Sequence, residues 1–171
     1  RLDYTIKDSL GLSDTATVTI LVNPINDAPI ANNDSATTNE DTAVSVNVLS
    51  NDIDVDNLVD SLVVDLDIAT SGVQDSVSST EGIWQVSAGG SLLFTPVLDY
   101  NGVARLDYTI KDSLGLSDTA TVSILVNPIN DVPDSIIISN SNIAENGIGS
   151  VGILSTSDVD ANNLFNYSFV T

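Results

Sequence analysis

Apolar and polar residues alternate through much of the chain. Val44, Val46 and Val48 are separated by Ser45 and Asn47, and Leu62, Val64, Leu66 and Ile68 alternate with Asp65 and Asp67. Leu106, Tyr108 and Ile110 alternate with Asp107 and Thr109, and Val122, Ile124 and Val126 repeat the pattern further on. A period of two belongs to a strand with one face in a core and the other in water. Further runs at 83–88 and 91–95 and an early edge strand near 34–38 bring the total to about seven short strands divided by turn signals, the pattern of a Greek-key β-sandwich. No stretch shows a helical period, so the fold class predicted is all-β. The interior should hold Val44, Val46, Leu62, Val64, Leu66, Leu106, Tyr108, Ile110, Val122, Ile124 and Val126. Trp84 has no second aromatic beside it and reads as a packing residue, not a sugar platform.

The pattern also recurs at long range. Residues 1–27, RLDYTIKDSLGLSDTATVTILVNPIND, return at 105–131 with only Thr19 replaced, by Ser123. An offset of 104 residues is the size of a domain, so the chain reads as part of a tandem array and not as a solenoid of short units. Two Pro-bracketed segments, Asn23 to Pro29 and Asn127 to Pro133, read as linkers, because each proline removes a backbone donor and stiffens the chain. The expected organisation is the C-terminal strands of a preceding repeat at 1–27, a complete repeat at 28–131 and the N-terminal part of a following repeat at 132–171. Neither end piece is long enough to bury a core alone.

Composition narrows the function. The 171 residues carry 4 Lys plus Arg against 24 Asp plus Glu, a formal net charge of −20, and the chain has no His and no Cys. A nucleic-acid surface needs a basic face, and an interfacial membrane helix needs Lys and Arg, so no nucleic-acid partner and no membrane insertion is expected. No run approaches the about 18 apolar residues of a membrane span. Missing His and Cys remove Ser-His-Asp and Cys-His nucleophiles, thiolate or imidazole zinc sites and redox dithiols. Of the acids, only Glu40, Glu81 and Glu145 are glutamates. The excess of aspartate suits loops, turns and calcium sites, where a short carboxylate bonds nearby backbone or a metal.

The aspartates keep register with the linkers. Asp54-Val55-Asp56 begins 27 residues after Asp27, and Asp158-Val159-Asp160 begins 27 residues after Asp131. In an extended chain, residues two apart leave the same face, so each D-x-D aims two carboxylates at one point. A single D-x-D in an acidic chain reads as a solvated loop. Two in register, with no basic side chain between residues 8 and 104, call for a counter-charge, and calcium takes 6–8 oxygen ligands of this kind.

The run Leu98-Asp99-Tyr100-Asn101-Gly102 to Tyr108-Thr109-Ile110-Lys111-Asp112-Ser113-Leu114-Gly115, followed by Thr119-Ala120-Thr121-Val122 and Pro128-Ile129-Asn130-Asp131-Val132-Pro133, resembles the cadherin-like tandem repeats of giant bacterial surface adhesins of the RTX or biofilm type. The resemblance implies a cadherin- or immunoglobulin-like sandwich with calcium between repeats. At the 127–133 junction it implies Glu40, Asp99, Asn130, Asp131, Asp158 and Asp160 as ligands. At the 23–29 junction it implies Asn26, Asp27, Asp54, Asp56 and Asp112. Asn101 stands where the cadherin L-D-R-E pattern has its glutamate, and the linker lacks the second Asn that follows N-D in cadherins.

The expected function is a calcium-rigidified spacer repeat of a secreted bacterial cell-surface adhesin that supports cell adhesion or biofilm formation. Its partners would be neighbouring repeats, with glycan or protein ligands bound by distal domains. The alternative is a carbohydrate-binding or homophilic module within such an adhesin. A two-carboxylate glycosidase is allowed by residue type, but an array multiplies structure more often than active sites, so no enzyme activity is expected.

Overall fold

The strands follow the alternating segments closely. In a computed structural model of the chain, residues 1–67, 69–142, 145–146, 152–160 and 164–168 are described. Twelve strands occur among them. They are β1 (Leu2–Lys7), β2 (Ser13–Val18), β3 (Asp34–Asn39), β4 (Val44–Asn47), β5 (Val63–Asp65), β6 (Ser76–Ser78), β7 (Gly82–Ser87), β8 (Ser91–Pro96), β9 (Gly102–Lys111), β10 (Ser117–Asn127), β11 (Ser135–Ile138) and β12 (Leu154–Ser157). A 3-10 turn at Val59–Ser61 is the one helical element among the described residues. Ile68, expected in a strand, lies outside them, as do 143–144, 147–151, 161–163 and 169–171 of the expected following repeat.

Two four-stranded sheets, ordered β3-β10-β9-β5 and β4-β8-β7-β6, face each other across the core. All their pairings are antiparallel except β3 with β10, which run parallel from Val122 opposite Asp34 to Asn127 opposite Asn39. Between the sheets Trp84, Leu92, Phe94, Tyr108, Ile110, Val122 and Ile124 are fully buried. Leu62, Val64, Leu66 and Val126 are buried with them, as the alternation requires. Val44, Val46 and Leu106 are only partly buried and pack against the edge of this cluster. For the first two the reason is topological, since β4 is the edge strand of its sheet and covers the core from one side only. Trp84 is wholly enclosed, opposite Phe94 on β8 with ring centroids 4.2 Å apart. The β7–β8 turn is shaped by packing: a Cβ on Gly90, whose φ is +73°, would lie 2.3 Å from Cγ of Leu49.

The internal duplication separates local from long-range causes. Both hairpins turn in the same way: the Asp8 carboxylate accepts the N–H groups of Leu10 and Leu12, and Asp112 accepts those of Leu114 and Leu116. Each turn closes on a glycine with φ near +90°, Gly11 and Gly115. Burial is opposite. Tyr108 and Ile110 are closed to solvent, whereas their copies Tyr4 and Ile6 are 47% and 65% exposed. The hairpin keeps the same local turn in both copies, and what differs is the core contributed by residues 28–104. The same body fixes strand length, because residues 123–127 extend β10 alongside β3 while their copies at 19–23 lie outside any strand. Beyond the sandwich, β11 and β12 form a separate antiparallel pair.

Candidate metal centre

The strand ends at one pole of the sandwich bring carboxylates together. β3 stops at Asn39, and the next residue, Glu40, donates its N–H to the Asn127 carbonyl at 2.9 Å, which ties it to the end of β10. Glu40 is only 2% exposed. Its Oε1 accepts the Ile129 N–H, and its Oε2 accepts Asn101 Nδ2 at 3.2 Å. Asp41 follows in the left-handed region with φ 59°, which aspartate tolerates better than most residues. Its Oδ1 accepts the N–H of Asp99, itself left-handed with φ 59° in the turn before β9.

The linker completes the site from the other side. Asp131 donates its N–H to Asp160 Oδ2 at 2.6 Å, and Asp160 donates its own to Asp158 Oδ1 at 3.0 Å. Carboxylate oxygens of Glu40, Asp131 and Asp160 fall within 4.8 Å of one another, and so do those of Asp41, Asp99 and Asp131. Asp131 belongs to both groups. Its Oδ2 is shut off from solvent and has no hydrogen-bond partner among the described residues. An ionised oxygen left this way costs free energy unless a cation or proton meets it. A cavity of about 600 Å³ opens here, walled by Glu40, Asp99, Asn130 and Asp160. The donors are hard oxygens with no nitrogen or sulfur among them, which suits calcium.

The electrostatics reflect how closely these acids are gathered. Burial, then the carboxylates of Asp41, Glu40, Asp134 and Asp160, push Asp99 above the ordinary carboxylate value. Burial, then Asp160, Asp99, Glu40 and Asp41, push Asp131 up as well. Elsewhere burial raises Asp52, against a bond from the Asn32 N–H, and raises Asp34, against a bond from the Tyr108 hydroxyl. Carboxyls raised in the fold hold protons that the unfolded chain releases, so the stability they contribute is present below about pH 4 and lost as pH rises through the folded values. Asp112 and Asp67, lowered chiefly by side-chain bonds from Asn26 and Thr70, act in the opposite sense, and only as pH falls below about 4. In chelator the chain is therefore expected to melt at a lower temperature as pH rises from about 4 through the raised folded values. Calorimetry in chelator checks this, and a midpoint that climbs as pH is raised from about 4 would contradict it.

Of the residues expected at the 127–133 junction, Glu40, Asp99, Asp131 and Asp160 converge. Asn130 lies on the cavity wall and donates Nδ2 to the Asp131 carbonyl at 2.9 Å. Asp158 stands one step back and positions Asp160 through its backbone N–H. Asp41 was not expected. The signal for it is its place beside Glu40 in Asn39-Glu40-Asp41-Thr42, but strand periodicity would send adjacent side chains to opposite faces, and only the left-handed turn brings Asp41 back.

The 23–29 junction repeats part of this arrangement. Asp27 donates its N–H to Asp56 Oδ2 at 2.7 Å, and Asn26 Nδ2 reaches Asp112 Oδ2 at 2.6 Å. Asp56 donates its N–H to Asp54 Oδ1, whose carboxylate also holds the Asn57 amide. Among the described residues, no three carboxylates here come within 4.8 Å of one another.

Two facing sheets with a parallel first strand and acidic linkers define an immunoglobulin- or cadherin-like sandwich repeat. The chain belongs to the bacterial Ig domain family, whose model matches residues 26–125. Among solved structures it is similar to extracellular cadherin domains 1–5 of protocadherin gamma B2, with 20% identity and a TM-score of 0.61 over 94% of this chain and 31% of that one. It is also similar to the extracellular domain of protocadherin gamma B4, with 22% identity and a TM-score of 0.54 over 94% of this chain and 27% of that one. The chain thus spans about a third of the length of these structures, and at this identity the likeness concerns the fold. No curated protein sequence matches it. No helix among the described residues is long and apolar enough to cross a membrane.

Proposed function

We propose that this chain is a calcium-binding spacer segment of an extracellular bacterial surface protein, in which metal at the 127–133 linker holds successive Ig-like repeats in line. One observation carries the reading. Glu40 and Asp131 meet Asp160, which lies beyond the linker, around an Asp131 oxygen that no donor satisfies. A divalent ion at that point is coordinated from both sides of the linker and offsets the repulsion among five carboxylates. Family membership and the cadherin-like fold support an extracellular repeat. Attachment to a bacterial adhesin and a role in cell adhesion or biofilm formation extend the same reading. It assigns no catalytic role, and the enclosure of Trp84 gives no support to a sugar-binding platform on the sandwich.

Small-angle scattering tests the proposal directly. With calcium, a chain extended to complete the repeat after the linker should give a longer, better-defined maximum dimension than in chelator, and Asp131→Asn combined with Asp160→Asn should make the two profiles coincide. Coincident profiles for the unaltered chain would mean that the acids are a solvated surface and that the linker gains nothing from metal.

A further inference from the structure

The turn into β9 ends in Asn101-Gly102. Gly102 has φ +137°, which side-chain-bearing residues rarely adopt, so the fold itself demands glycine after this asparagine. Asparagine followed by glycine is the pair most open to attack by the next main-chain nitrogen on the side-chain Cγ, because no side chain crowds the approach. Asn101 is exposed to water, and its amide nevertheless reaches the metal cavity, where it donates to Glu40 Oε2 at 3.2 Å.

We propose that Asn101 is a site of spontaneous hydrolytic deamidation and that the carboxylate so formed joins the metal centre. The second half of this inference rests on the calcium reading above. The Gly102 nitrogen gives up its proton and bonds to Asn101 Cγ, the bond from Cγ to the amide nitrogen breaks, and ammonia leaves. Water then adds to one carbonyl of the resulting succinimide and opens it. The net change is amide plus water to carboxylate plus ammonium, with no oxidation or reduction. Opening at the Cγ carbonyl gives aspartate, with its carboxylate where the amide stood and able to join the centre; opening at the main-chain carbonyl gives isoaspartate, in which the chain runs through Cγ and the carboxylate sits on Cα.

That exchange alters the centre in a definite direction. A donor bonded to Glu40 is replaced by a like charge in a cluster that already raises Asp99 and Asp131. Without metal the junction becomes less favourable. With metal it gains one more oxygen ligand. Ageing therefore makes the linker more dependent on calcium.

Two measurements test this. The folded chain is incubated at neutral pH and physiological temperature, then digested, and the peptide containing Asn101 is followed by mass spectrometry apart from the one containing Asn146-Gly147, the other Asn-Gly pair. Conversion at Asn101 is expected to accumulate, and faster as pH is raised. In parallel, Asn101→Asp is titrated with calcium by calorimetry and should bind about tenfold more tightly than the unaltered chain. An Asn101 peptide that stays an amide while the denatured chain converts would overturn the modification. Conversion with no gain in affinity for Asn101→Asp, in a chain that does bind calcium, would overturn the added ligand. A chain that binds no calcium at all would bring down the spacer reading and the added ligand together, while the mass measurement would still decide the deamidation.

Discussion

At about 10 mM calcium, a hundredfold excess over a dissociation constant near 10⁻⁴ M, the thermal midpoint of this chain rises by roughly 10–20 °C, and Asp160→Asn removes most of that rise. The size follows from linkage. A ligand that binds only the folded state at a hundredfold excess adds about 2.7 kcal/mol, and each kcal/mol moves the midpoint of a domain of this size by about 4–8 °C. The modest affinity assumed is that of extracellular calcium modules, whose sites are adequate when the ion is abundant.

The variants distinguish a ligand from a structural prop. Asparagine at position 160 can still accept the Asp131 N–H through its side-chain oxygen, so the linker contact survives. What it removes is one charge from a group whose members repel each other. Without calcium, Asp160→Asn and Asp131→Asn should therefore melt at or above the midpoint of the unaltered chain, and with calcium below it. Differential scanning calorimetry in chelator and in calcium reads both arms. Variants destabilised equally in the two conditions would show that these carboxylates hold the linker by hydrogen bonds alone.

Sequence pattern recovers different parts of this molecule to different depths. Tyr108 and Ile110 could be assigned to the core face because β9 is central in its sheet and that face is covered by the second sheet, while Leu106, in register with them, is only partly buried. Val44 and Val46 show the same alternation but sit on an edge, and edge position is a property of the whole sheet. The exposed hairpin β1–β2 is the sharper case. Residues 2–18 match their buried counterparts at 106–122 at every position, so nothing within the hairpin could reveal whether a body covers it. At the candidate metal centre, Asp131 and Asp160 are legible because linker and D-x-D keep a fixed spacing. Asp41 is hidden by a single left-handed residue, and Asp158 is close in sequence but employed as an acceptor for the backbone of its neighbour. Spacing finds the carboxylates that the chain presents; turn conformation decides which of them face the same point.

Replacing Trp84 by alanine should cost about 3–5 kcal/mol, enough to leave the sandwich marginal when typical domains have only about 5–15 kcal/mol in all. The side chain is fully enclosed on β7 and meets the Phe94 ring at an interplanar angle of 39°. Truncation therefore removes buried area and an aromatic pair together and opens a cavity between the sheets. Its indole Nε1 is also buried with no hydrogen-bond partner among the described residues. An unmet donor in a low-dielectric interior costs about 1–3 kcal/mol, so the native tryptophan carries a penalty that phenylalanine would not. Trp84→Phe loses some volume but drops that donor, and it should stay within about 1–2 kcal/mol of the unaltered chain. Urea unfolding followed by circular dichroism ranks the three proteins. The unaltered chain has a single tryptophan, so its fluorescence reports this sandwich and not the flanking hairpins. A loss for Trp84→Phe as large as that for Trp84→Ala would mean that the indole nitrogen is bonded in the folded protein. A loss below about 1 kcal/mol for alanine would place Trp84 outside the core.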